Sequence, residues 1–98
     1  MAFRRMDGAP LRSIAIAIHK AYTAVMMGST TEAFGLRLKN EGVDARAFCD
    51  DKLTPLPGGT PILDGEGRLR GGVGISGLKP DQDGDLAVLA AKEAARWL

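Results

Sequence analysis

The sequence contains one cysteine, Cys49, and one histidine, His19, among 98 residues. A lone cysteine forms no disulfide within the chain, so the stapled scaffold of small secreted domains is not the basis of this fold. One Cys and one His are also too few ligands for a structural zinc site. Aromatic residues are scarce, with three Phe, one Tyr and one Trp. An excess of one charge sign is missing too. Thirteen basic residues face twelve acidic ones, a net charge of +1. That balance gives no general electrostatic attraction to nucleic acid or to anionic membranes. No apolar run approaches the ~20 residues of a membrane span. The opening "MAFRRMDGAP" has no apolar signal core. The expectation is a cytoplasmic protein with neither nucleic acid nor membrane as partner.

What is present is glycine, 13 residues of it, and an apolar fraction of 45%. That composition belongs to a folded chain. At this length residues 1–98 make a single domain. Such a domain buries roughly 60–70% of the surface its unfolded chain exposes.

The glycines concentrate in "GGVGISG", residues 71–77, where Gly72, Gly74 and Gly77 satisfy G-x-G-x-x-G. A dinucleotide loop needs a helix that begins inside the motif and an acidic residue about 20 positions later. Here Lys79, Pro80, Asp81 and Asp83 follow instead, and the chain ends where the acidic residue belongs. The better reading is a strand with one bare face, open to close approach by another backbone, a helix or a flat ligand.

Hydrophobic spacing predicts three helices and a hairpin. "DGAPLRSIAIAIHKAYTAVMMG" reads as the first helix, with Asp7 as its cap, Pro10 in its first turn and Gly28 as its stop. Leu11, Ile14, Ile18, Ala21, Tyr22 and Val25 form its expected packing face, with Ile16 and Met26 off it. "STTEAFGLRLKNEG" reads as the second helix, with Ser29 and Glu32 at capping-box spacing. Residues 43–59 read as loop. Strands are expected at "TPILD" and "RLRGGVGIS", joined by the turn "DGEG". "KPDQDGDLAVLAAKEAARWL" closes the chain as a helix expected to pack through Leu86, Leu89, Ala90, Ala94 and Trp97.

The blocks "RMDGAP", "KAYTA", "PGGTPI", "GGVGISG" and "DQDGDLAVLAAKEA", in this order and spacing, resemble the GlcG and HbpS family. This is the haem-degrading-domain family, which includes the C-terminal domain of PduO proteins. The resemblance covers residues 5–95. It implies an α/β (α+β) fold, profilin-like, with helices on both faces of an antiparallel sheet. It also implies haem among the ligands of some members, a part in haem breakdown for some, and assembly into oligomers. Typical members carry a further helix and one or two strands before the "RMDGA" block, so the sequence reads as an N-terminally abbreviated version.

Haem requires only one strong axial ligand, which makes His19 the candidate for that position. Arg5 and Lys20 lie in the resembling blocks and suit haem propionates or another carboxylate. Gly58 and Gly59 carry backbone N–H groups that suit an anion. The sequence expectation is that Arg5, Lys20, Gly58 and Gly59 converge on one ligand site. Asp50 and Asp51 follow Cys49 and oppose a reactive thiolate. Ser76 and Thr23 have no evident base, so no catalytic residue is assigned and catalysis is left open.

Two further readings stand beside a haem- or tetrapyrrole-binding protein. One is a non-haem accessory or small-carboxylate-binding module of a metabolic operon. The other is a purely structural subunit. All three fit self-association into at least a dimer, with the glycines serving packing.

Overall fold

The computed structural model describes the backbone of residues 2–5 and all of residues 12–98. Asp7, Pro10 and Leu11, expected at the start of the first helix, lie outside the described residues. Three strands, β1 (Ala2–Arg5), β2 (Gly59–Leu63) and β3 (Leu69–Ser76), form one sheet in the order β1-β3-β2. The fold is α+β. The expected hairpin is present as the antiparallel β2–β3 pair, and β1 adds to the other side of β3 in parallel, Ala2 opposite Val73 and Arg5 opposite Ser76.

Asp64 shapes the hairpin turn. Its Oδ1 accepts from the Glu66 and Arg68 amides at 2.9 and 3.0 Å, and its Oδ2 accepts from Arg68 Nε at 3.1 Å. Gly67 takes the positive φ of 77° that the tight turn needs. These amide bonds, those to Arg68 first, hold the Asp64 carboxyl below its ordinary pKa.

Helix α1 (Arg12–Met27) lies on the bare face of β3. A Cβ at Gly74 would overlap the Ala17 carbonyl, and one at Gly72 would stand 2.8 Å from the Ala21 oxygen. The bare strand face therefore receives the first helix. Of the occupants left open for that face, a helix fills it. A backbone-close approach admits only small or slender groups, which decides the helix rotation. Ser13, Ala17, Lys20, Ala21 and Ala24 are buried. Ile14, Ile18, Tyr22 and Val25, expected as the packing face, sit half-buried at its margins.

Helix α3 (Pro80–Ala95) covers the opposite face of the sheet, where Ala87 and Ala91 meet Val73 and Ile75. Its buried line is Asp83, Ala87 and Ala91. Of the expected face, Leu86 and Ala90 pack half-buried against this cluster, and the rest is corrected: Leu89 is 64% and Trp97 85% exposed. Ala87 and Ala91 bring the helix down onto Val73 and Ile75, which leaves Leu89 on the solvent side.

Helix α2 (Thr31–Glu41) is capped by Thr30, whose side chain accepts from the Ala33 amide, so the cap falls one residue beyond Ser29. Gly42 ends the helix in the left-handed conformation. The following segment, expected as loop, contains a single 3-10 turn at Ala45–Phe48. Its Phe48 packs edge-on against Phe34 of α2 at 5.7 Å.

Candidate functional site

Lys20 stands at the junction of α1, β3 and α3. Its ammonium donates to the Ile75 carbonyl at 2.8 Å and to Asp83 Oδ2 at 3.1 Å. Both residues are 3% exposed. Asp83 Oδ1 accepts from the Leu78 amide at 3.0 Å. The pair therefore ties the first helix to the end of β3 and to the start of α3. Of the three carboxylates at the start of α3, Asp83 is buried while Asp81 and Asp85 are exposed. The four-residue spacing Asp83, Ala87, Ala91 carries the signal that sets it apart.

Gly58 and Gly59 sit directly over this lysine. A Cβ at Gly58 would meet Lys20 Nζ at 2.8 Å, and Gly58 has a φ of 126° that excludes ordinary side chains. The Gly59 amide donates to the buried Thr31 Oγ1 at 3.0 Å. The structure thus brings Lys20, Gly58 and Gly59 together, with the ammonium directed at protein groups. Arg5 ends β1 opposite Ser76, and its side chain lies outside the described residues.

His19 is half-buried on the outer side of α1. Ala15, Tyr22 and Met26 share that side of the helix by spacing, and Ala15 and Met26 are exposed. The neighbouring segment, residues 50–54, crosses the helix at this turn. The Tyr22 hydroxyl donates to Asp50 Oδ2. The Thr54 amide donates to Thr23 Oγ1 at 3.0 Å, and Thr23 Oγ1 donates to the His19 carbonyl at 2.7 Å. Lys52 Nζ lies 5.0 Å from the centre of the Tyr22 ring. The Tyr22 hydrogen bond lowers the Asp50 pKa, helped by the Lys52 amide and, more weakly, by the charges of Lys52 and His19. The same bond raises the Tyr22 pKa. Tyr22 and Asp50 were not singled out as partners in the sequence. They are 28 positions apart, and only the path of the loop joins them.

Cys49 is exposed, with a left-handed φ of 57°, and its thiol is free. Among the described residues no cluster of three or more His, Cys, Asp and Glu side chains could hold a metal ion. No described helix is long and apolar enough to cross a membrane.

Residues 1–92 match the family described as haem degrading protein HbpS-like. The chain belongs to the HbpS-like family. Several solved structures share its fold. The PduOC–haem complex superimposes with a TM-score of 0.71 at 33% identity, covering 90% of this chain and 66% of the other. Protein ORFY of Klebsiella pneumoniae gives a TM-score of 0.77 at 27% identity, covering 91% and 62%. A double mutant of Streptomyces reticuli HbpS gives 0.71 at 30%, covering 97% and 60%. This HbpS-like chain therefore spans between 60% and 66% of the length of these relatives. No curated protein matches it.

The HbpS-like blocks now have physical roles. "GGVGISG" is the strand that α1 rides on, and "PGGTPI" is the turn closed over Lys20. "DQDGDLAVLAAKEA" supplies the partner of Lys20 and the alanine face of α3.

Proposed function

We propose that this HbpS-like chain binds haem or a related tetrapyrrole, with His19 as the axial ligand to the iron. The carrying observation is that the one histidine is half-buried on the outer side of α1, with exposed Ala15 and Met26 on the same side. The residues fit the group to this extent. The imidazole would supply the nitrogen ligand to an iron, and the surface around it is partly apolar, as a porphyrin edge requires. Bound haem supplies a redox-active iron. The haem complex known for PduOC supports the reading at family level.

In this reading Lys20, Gly58 and Gly59 act from beneath. They fix the rotation of α1 and so the direction of His19. Arg5 is the proposed partner for a haem carboxylate. The proposal extends to a homo-oligomer of at least two chains. The exposed Met26, Leu89 and Trp97 give it apolar surface to bury.

Titration with haemin tests the assignment. The native chain should shift the Soret band, and His19→Ala should lose the shift while melting as before. A shift unchanged in His19→Ala removes the ligand. No shift with the native chain overturns the haem reading, leaving a non-haem carboxylate-binding module or a structural subunit.

A further inference from the structure

The segment between the 3-10 turn and β2 is held to the body of the molecule in an unusual way. The backbone bonds of residues 49–54 close local turns, Cys49 N to Arg46 O and Leu53 N to Asp50 O. Asp50 Oδ1 adds another local bond, accepting from the Lys52 amide at 3.0 Å. What ties the segment to α1 is a short set of side-chain contacts. They are Tyr22 to Asp50, the Thr54 amide to Thr23, a long bond from Thr23 Oγ1 to the Lys52 carbonyl at 3.5 Å, and the Lys52 ammonium over the Tyr22 ring.

All of these contacts land on the turn of α1 that follows His19. Tyr22 is three residues on, hence on a neighbouring position of the same side. Thr23 is four residues on and also holds the His19 carbonyl. The segment begins at Cys49 with a left-handed φ of 57° and ends at Pro55. Cys49 makes the bend at one end and the proline ring fixes φ at the other, and the stretch between them has no ladder of its own.

We infer that residues 50–54 form a strap latched across α1 by Tyr22 and Asp50, and that this strap governs access to the His19 imidazole. Local opening of a segment costs less when few buried contacts hold it. Three polar contacts, one of them long at 3.5 Å, and a cation–π contact are few. With the strap down, Tyr22, the neighbour of His19 on that side of the helix, is engaged by Asp50 and Lys52. With the strap lifted, the ring and the neighbouring Tyr22 are open to a flat ligand. The inference rests on the haem reading only for the identity of that ligand. The latch itself is a property of the protein alone.

Because His19 is the sole histidine, its accessibility can be read on the free protein. Diethylpyrocarbonate modifies exposed imidazole, and the rate is followed by absorbance. Tyr22→Phe removes the donor and keeps the ring. Asp50→Asn removes the charged acceptor. Each should raise the His19 modification rate roughly threefold or more if the latch shifts a local opening equilibrium. Glu66→Ala, exposed in the hairpin turn between β2 and β3, should leave it unchanged. Near-ultraviolet circular dichroism and a cooperative melt identify variants that keep the fold. Equal rates in native protein and both folded variants overturn the strap. If either variant unfolds, Lys52→Ala provides the same comparison through the cation–π contact. Haemin titration of the same proteins separates the two proposals. Faster modification with no Soret shift in any of them keeps the strap and removes haem. A Soret shift with equal modification rates keeps haem and removes the strap.

Discussion

The Lys20 ammonium lies 3.1 Å from the Asp83 carboxylate, with both side chains almost wholly withdrawn from water. Sixty-three positions apart in sequence, the two residues join the first helix to the last across the end of the sheet. No buried side-chain nitrogen or oxygen among the described residues lacks a hydrogen-bond partner. The pair is therefore fully accommodated as an ion pair, and its removal from one side strands the other charge.

Lys20→Met should destabilise the fold by about 3–5 kcal/mol, and Asp83→Leu by a similar amount, because each leaves an uncompensated buried charge. The double variant should lose clearly less than the sum. Chemical denaturation of all four proteins measures this. Additive losses would show that the pair is not coupled.

Gly74→Ala should cost about 1–3 kcal/mol or more, since its Cβ overlaps the Ala17 carbonyl and α1 must move. Gly65→Ala in the hairpin turn meets nothing within 4 Å and should stay within about 0.5 kcal/mol of the native chain. Thermal and urea melts of the two variants give the comparison.

Asp64 sets an acid limit. Its folded pKa lies below the ordinary value, first through the backbone bonds to Arg68. A carboxylate with a depressed folded pKa stabilises the fold above the unfolded value of about 3.9. That contribution fades as the pH falls through the folded pKa. Asp64→Asn should therefore lower the urea midpoint at pH 7. It should also flatten the loss of stability seen on acidification. Parallel pH profiles for native and Asp64→Asn proteins would contradict this.

Sedimentation at micromolar concentration should give at least twice the mass of one chain, as the proposed assembly requires. Ile16 is half-buried on α1, and Ile16→Glu should dissociate the assembly. A variant that stays fully assembled would place the interface away from this helix.

Local chemistry was legible in the sequence. The three helices, the β2–β3 hairpin and the Asp64–Gly67 turn follow from short-range periodicity and from residues that suit particular dihedrals. The glycines at 72 and 74 marked a strand face open to close approach, and the surrounding blocks identified the family. Which helix occupies that face was not legible, because a bare strand accepts any element with small residues. Both α1 and α3 offer alanines at the right spacing. The tertiary structure decides it: α1 brings the Ala17 and Ala21 backbone onto the glycines, while α3 meets Val73 and Ile75 with Ala87 and Ala91. The same docking turns Lys20 inward to Asp83, leaves His19 on the outer side and sends Leu89 and Trp97 outward. A helix stripe fixes which residues share a side. Only packing against the sheet fixes which side is buried, since that depends on how closely two backbones can approach.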